Sequence, residues 1–247
     1  MPHSALRLIG CVLKVYEMKL LNFEFDGKKA AVFGAFTIIG LLLYQVQFSK
    51  ILGASSQSFS LFQLAGPSAA AVLGPVFGVL SVVCVEALNF ILSGKAFEPI
   101  NVARMLPMAF AALYFGSKKK ATGLVAAACM LLFWTHPIGA QAWFYPLYWI
   151  IPIAASFFKD NILARSLGAT FTAHAVGSVA FLYAYNLPVE VWASLMPIVA
   201  MERLAFASGI ALSYYAINTG LAFASSKVKM PELIIEKKYA LFQAKEE

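Results

Sequence analysis

Five ionisable side chains interrupt strongly apolar stretches of this sequence, and they are the residues best placed to do chemistry. A charge at the centre of a membrane helix costs about 2.5 to 3.5 kcal/mol on insertion scales. Each such residue therefore needs a charged partner, a water-filled cavity or a ligand. We interpret them as parts of a polar site inside an apolar protein. They are Glu86, Arg104, His174, Glu202 and Arg203.

The composition predicts an all-α polytopic integral membrane protein. Of the 247 residues 61% are apolar and only 13% are charged, and apolar runs recur along nearly the whole chain. We predict a bundle of about eight transmembrane helices, with a range of six to eight, one of them short or broken. The predicted spans cover 30–47, 60–73, 75–93, 100–116, 121–136, 142–158, 163–185 and 191–225.

The lysines indicate the orientation of this bundle. The net charge of +7 comes from lysines in short connectors between apolar runs, a pattern typical of cytoplasmic loops and not of nucleic-acid binding. The bias places both termini in the cytoplasm and predicts a multi-pass protein of the cell (plasma) membrane. We divide the chain into an amphipathic interfacial segment 1–27, a transmembrane helical domain 28–226 and a cytoplasmic amphipathic tail 227–247. The tail is predicted to be a helix that binds lipid or a partner.

Helical spacing groups several of the polar residues. Glu86 and Asn89 are three apart, so they share one face of the third span, and Arg104 enters the next span from the same outer side. Three alternatives remain open: a structural ion pair, a substrate contact, and an Arg104 side chain that extends to the membrane interface without pairing with Glu86. In the seventh span His174 and Ser178 form a polar stripe, which is either a ligand site or a satisfied part of the interior.

The last predicted span contains the adjacent pair Glu202 and Arg203. Neighbouring helical residues point about 100° apart, so they cannot both lie in the seam of small residues that we expect to pack against other helices. We therefore expect one of the two side chains to reach a cavity or a neighbouring helix.

Two outer connectors offer further ligand contacts. The polar segment 53–60 is either a lid or a solvated connector. The connector 134–149 is dense in aromatic residues, which either form an interfacial belt or present flat faces to a ring-bearing ligand. In the ligand-binding alternative, the flat faces belong to Trp143, Tyr145 and Tyr148.

Two motifs in the first half resemble a known family. They are Ala31-x-x-x-Ala35 in the first span and the Leu-Gly-Pro turn at 73–75, which is followed by Gly78. The chain is similar to the substrate-binding S components of energy-coupling-factor transporters, best over 28–116 and more loosely beyond. The family usually has six spans, whereas this sequence predicts an additional pair between 121 and 185.

The resemblance implies a function and a set of partners. Ala31 and Ala35 would contact a transmembrane coupling subunit, and a separate pair of ATPase subunits would supply energy. Family substrates are vitamins, their precursors or transition-metal ions.

We therefore predict a substrate-capture subunit of a micronutrient importer, in contact with membrane lipid, a small-molecule substrate, the coupling subunit and the ATPases. The predicted substrate contacts are Glu86, Asn89, Arg104, Trp143, His174, Ser178, Glu202 and Arg203. We predict no catalytic residue, resident cofactor or bound metal, because the sequence has no Walker, Gly-x-Ser-x-Gly or His-Glu-x-x-His motif. A noncatalytic structural subunit of a larger membrane complex is the main alternative. An intramembrane enzyme and an ion-coupled carrier are weaker ones.

Overall fold

The computed structural model describes residues 27–51, 54–185, 187–228, 230 and 233–241, and most of them are helical. The predicted interfacial segment 1–27 lies outside this part of the chain except for Gly27. The α-helices are α1 (Gly27–Gln45), α2 (Phe62–Leu73), α3 (Pro75–Leu92), α4 (Pro99–Ala103), α5 (Leu106–Gly116), α6 (Gly123–Thr135), α7 (Pro137–Gln141), α8 (Ile150–Ala155), α9 (Ile162–Ala184) and α10 (Val189–Lys227). Single 3-10 turns cover Lys120–Thr122, Tyr145–Trp149 and Lys237–Tyr239.

Three of these helices are long and apolar enough to cross a membrane, namely α3, α9 and α10. Shorter apolar helical stretches cover Lys29–Gln45, Lys120–Thr135 and Tyr145–Ala155. Large apolar side chains also point outward, with Leu42 on α1 65% exposed and Leu212 on α10 70% exposed. An apolar outer surface on an all-α fold is the arrangement expected of a membrane protein.

The helices follow the predicted apolar segments, with two interruptions. The predicted span 100–116 is broken at Arg104 and Met105 into α4 and α5, and Pro107 lies in the first turn of α5, where its missing N–H needs no partner. The predicted span 142–158 is a 3-10 turn followed by α8. The short predicted run at 60–73 is the 12-residue helix α2, which ends at Gly74 with a φ of 85°.

Close backbone contacts fix α2 between two neighbours. A Cβ atom added to Gly78 of α3 would lie 2.0 Å from the Cα of Ala70, and one added to Gly116 of α5 would lie 2.4 Å from the Ala70 carbonyl oxygen. Only glycine permits helices to approach this closely at both positions. The short helix is thus held rigidly against α3 and α5 beside the cavity described below.

The segment predicted as a polar loop or lid is a β-hairpin. Strands β1 (Gln47–Ile51) and β2 (Ala54–Ser60) pair antiparallel, with Gln47 opposite Ser60. Phe48 and Phe59 both pack against Phe206 of α10, with ring centroids 5.7 and 4.9 Å away. The prediction of a loop was wrong because the serine-rich composition gave no indication of these two aromatic contacts, which hold the strands against the bundle.

The tail also differs from its prediction. Its described residues 233–241 are extended apart from the 3-10 turn, and they lie against the end of the bundle that contains Lys118 and Asp160, which we call the tail end. The Ile234 N–H donates to the Val72 carbonyl over 2.9 Å. Asn218 bonds both backbone groups of Glu236, at 2.8 and 3.0 Å. These bonds to the bundle replace the hydrogen bonds that a helix would make internally.

Candidate functional site

A cavity of about 640 Å³ lies at the other end of the bundle, under the hairpin. Its volume falls within the range of about 300 to 1,000 Å³ that is usual for small-molecule sites. Its lining comes from α1, both strands of the hairpin, α2, α3, α4, α5, α9, α10 and the turn at Tyr145–Trp149. Seven of the eight predicted substrate contacts meet here: Glu86, Asn89, Arg104, His174, Ser178, Glu202 and Arg203.

Arg203 is the most deeply placed cation of the cavity, with only 5% of its surface exposed. Its guanidinium lies over the rings of Phe206 and Phe59, 4.4 and 5.2 Å from their centroids. It donates to Thr170 Oγ1 and to the carboxylate of Glu202, each over 3.4 Å, which is long for a hydrogen bond. Its Nε is buried and has no acceptor within the described part of the chain. This is an incompletely bonded charge beside an open space.

His174 is held by aromatic neighbours. Trp149 Nε1 donates to Nδ1 over 3.1 Å, and Tyr145 Oη lies 3.0 Å from Nε2. Because an indole N–H can only donate, Nδ1 must be the accepting nitrogen, and the proton of the neutral ring is on Nε2. Ser178 Oγ is 3.4 Å from the same Nε2. The histidine therefore has a fixed tautomer and forms part of the cavity wall.

Glu86 binds a tyrosine and makes no direct pair with Arg104. Its carboxylate accepts a hydrogen bond from Tyr44 of α1 over 3.1 Å, and the carboxylate and Asn89 are both buried. The guanidinium of Arg104 lies 5.7 Å from the ring centroid of Phe181 instead. Arg104 stands at the break between α4 and α5. Of the three alternatives left open for these two residues, the structural ion pair is not formed, and both residues line the same cavity.

The aromatic connector contributes one of its three predicted ligand contacts. Tyr145 is buried and lines the cavity. Trp143 is 59% exposed and does not line it, and its carbonyl accepts a hydrogen bond from Trp134 Nε1. Tyr148 donates to the Met196 carbonyl over 3.1 Å. Trp143 is thus placed as the interfacial-belt alternative requires.

Several cavity residues escaped the sequence analysis. Tyr44 is the hydrogen-bond partner of Glu86, and Trp192 and Phe206 form aromatic walls. Gln63 and Lys95 add polar groups. Aromatic and amide residues near the ends of apolar runs give no distinctive signal, because membrane interfaces favour the same residue types. Only the fold distinguishes those that face the cavity.

Ala31 and Ala35 lie on an exposed strip of α1. Both are exposed, as are Ile38 and Leu42 on the same helical face. The face predicted to meet a partner subunit is therefore open in the isolated chain.

A second group of polar residues lies at the tail end, where its charged side chains are bonded within the protein. Arg165 is 1% exposed and donates to Glu236 Oε1 over 2.6 Å through Nη1. Its Nε and Nη2 both donate to the Phe115 carbonyl, over 3.2 and 2.9 Å. Tyr214 donates to the same carboxylate over 3.0 Å. We call Arg165, Tyr214, Asn218 and Glu236 the tail clasp.

Burial and the neighbouring charges shift the pKa values of two groups at the tail end. Burial would raise the pKa of Glu236, but Arg165, Lys118 and the hydrogen bond from Tyr214 outweigh it and hold the pKa below its usual range. Burial, together with the positive charges of Arg165 and Lys118, lowers the pKa of Lys159 to about 7. Lys159 also donates to the Tyr114 carbonyl over 2.8 Å.

No group of three or more His, Cys, Asp or Glu side chains that could hold a metal ion occurs within the described residues. The polar groups of the cavity are amides, hydroxyls, carboxylates, guanidinium groups, the imidazole of His174 and the ammonium of Lys95, among aromatic rings.

The sequence is similar to an uncharacterized protein of Methanocaldococcus jannaschii, with 26% identity over 196 residues. The match covers 69% of this chain and 66% of that protein, so the chain spans just under two thirds of the length of this relative. No protein-family model and no solved structure matches the chain.

Proposed function

We propose that this protein is the membrane-embedded substrate-capture subunit of a micronutrient importer, energised by separate ATPase subunits. The observation that carries the proposal is the cavity of about 640 Å³, where seven dispersed polar residues of the sequence converge under a hairpin. A purely structural helix bundle has no need of a large space lined by an incompletely bonded guanidinium.

The proposal includes a bundle of about eight crossings in the cell membrane, with the tail end in the cytoplasm. Lys118, Lys119 and Lys159 near the tail end support this orientation, and it opens the cavity to the outside. The β-hairpin then covers the ligand from outside. The exposed strip at Ala31 and Ala35 supports the proposed contact with a transmembrane coupling subunit, because small residues allow close helix approach.

The first test is affinity purification of the tagged full chain from its native membrane in mild detergent, with mass spectrometry of proteins and small molecules. We expect a pair of ATPases, a membrane coupling subunit and a tightly held small molecule. Recovery of a large complex without ATPases or small molecule would instead make the chain a structural subunit, the alternative function that the sequence leaves open.

A matched pair of variants tests the partner face. Ala35→Trp places an indole on the exposed strip of α1, and we expect it to abolish co-purification of the partner chains while the small molecule is retained. Leu212→Trp introduces the same side chain at an outward position of α10 and should leave assembly intact. Equal recovery of partners with both variants would show that the strip on α1 is not the interface.

A further inference from the structure

We infer that the captured molecule is an organic monoanion on an apolar body, and that its carboxylate binds the guanidinium of Arg203. This inference rests on the proposed function, since it names the class of substrate that the cavity takes. It follows from the hydrogen bonding of Arg203, from the charges around the cavity and from the nature of its walls.

The hydrogen bonding of Arg203 is incomplete. A guanidinium offers five N–H donors, and this one has two acceptors at 3.4 Å and a buried Nε without any in the described residues. A charged donor left without an acceptor in a protein interior is strongly unfavourable. A carboxylate is the acceptor that matches the guanidinium best, because its two oxygens can accept from two N–H groups of the guanidinium together.

The guanidinium is also fixed in orientation. It lies over the rings of Phe206 and Phe59, which belong to α10 and to the hairpin. Stacking on aromatic faces holds the plane of a guanidinium and keeps its edge free for a planar oxyanion. Because Phe59 comes from the hairpin, the strand that covers the cavity also helps to shape the anion site.

The charges around the cavity favour one negative charge on the ligand. Among the described residues, three cations line the cavity, namely Lys95, Arg104 and Arg203, against the two carboxylates of Glu86 and Glu202. A single anionic group balances this formal excess of one positive charge. Glu202 lies beside Arg203 and would repel a doubly charged phosphate more strongly than a carboxylate.

The remaining walls suit an apolar body. Rings of Tyr145, Phe181, Trp192 and Phe206 line the cavity, and amides of Gln63 and Asn89 offer a few directed hydrogen bonds. This combination of aromatic surface and few polar groups is characteristic of sites for small organic molecules.

The test measures the thermal unfolding of the purified full chain with acids and their uncharged amides of matched shape. The probes are 3-phenylpropanoate with 3-phenylpropanamide, and octanoate with octanamide, each titrated to millimolar concentration. We expect at least one acid to raise the unfolding temperature and its amide to do so at least about tenfold less potently, as loss of a charge-assisted contact predicts. The two pairs distinguish an aromatic body from an acyl chain.

Two buried arginines provide matched variants. Arg203→Lys keeps the positive charge but removes the planar fork, and we expect the stabilisation by the acid to be lost. Arg165→Lys makes the same change in the tail clasp and should lower the unfolding temperature while the increment from the acid remains.

The outcomes separate this inference from the proposed function. The inference is overturned if the amides raise the unfolding temperature as much as the acids do. It is also overturned if the acid still raises the unfolding temperature of Arg203→Lys. Either result would leave a capture site for neutral molecules. If neither class stabilises the protein and no small molecule co-purifies with it, the inference and the proposed function both fail.

Discussion

Two buried arginines of this protein, Arg165 and Arg203, are held in opposite ways. Arg165 in the tail clasp has each of its three nitrogens bonded, and one of its bonds joins a carboxylate over 2.6 Å. Arg203 in the cavity has two long contacts and a buried nitrogen without an acceptor. Both lie over aromatic rings, so the rings do not distinguish them.

The hydrogen bonding of a buried charge indicates which role it has in an apolar fold. A charge whose bonds are complete within the protein stabilises one arrangement of the chain and leaves nothing for a ligand. A charge whose bonds are incomplete beside a cavity has bonding capacity that a ligand can use. Burial alone does not separate the two cases, since both arginines are at least 95% buried.

The largest effect is expected from breaking the tail clasp. Glu236→Ala leaves Arg165 buried without its carboxylate, and we expect a loss of about 3 to 5 kcal/mol in the free energy of unfolding. Thermal or denaturant unfolding in detergent measures this change. The exposed Glu190→Ala serves as control and should have little effect. A similar small loss for both variants would mean that the tail is not held by this carboxylate.

The same variant should alter the response to acid. Because the folded protein lowers the pKa of Glu236, this carboxylate stabilises the fold at neutral pH, and the contribution is lost as the pH falls through the folded-state pKa. We expect the wild type to lose stability on acidification more steeply than Glu236→Ala. Parallel curves for the two proteins would contradict the ion pair.

The same substitution at Arg165 and at Arg203 should have different effects on the free energy of unfolding. Arg165→Met should cost about 3 to 5 kcal/mol, because it removes the shortest charged contact of Glu236 and both donors to the Phe115 carbonyl. Arg203→Met should change the free energy of unfolding by less than about 1 kcal/mol, since it removes a charge with only long contacts and Glu202 can turn to water. Equal losses at the two positions would remove the distinction between them.

The last effect is a dependence of stability on alkaline pH at Lys159. Its folded-state pKa of about 7 lies below the value of about 10.4 in an unfolded chain, so between these values the unfolded state binds more protons. Stability of the wild type should therefore rise from pH 7 toward pH 10, and Lys159→Met should flatten this slope. Melting curves across the range provide the measurement. The exposed Lys119→Met should retain the wild-type slope.

Sequence periodicity predicted the main helices and several polar residues of the cavity lining. The repeat of Thr170, His174 and Ser178 places three polar side chains on one side of α9, and the spacing of Glu86 and Asn89 does the same on α3. Such spacings depend only on helix geometry, so they survive in any bundle. Neighbouring helices then need only face one another for the polar stripes to converge.

The pairing of distant residues could not be predicted. Arg165 and Glu236 are 71 positions apart and belong to different elements, and nothing in the local pattern around Arg165 indicates its partner. The hairpin was missed for a similar reason, because Phe48 and Phe59 are anchored by Phe206 far along the chain. These contacts depend on tertiary structure, which composition and periodicity do not contain.

The length of α10 determines how deep the cavity lies in a bilayer. The helix has 39 residues and rises about 58 Å at 1.5 Å per residue, roughly twice a hydrocarbon core of about 30 Å. Arg203 is 11 residues before Tyr214, which bonds Glu236 at the tail end, so it lies about 16 Å along the helix from that end, roughly half the thickness of a hydrocarbon core. In a bilayer, the cavity at the opposite end is then the space through which water reaches this buried charge at about mid-depth.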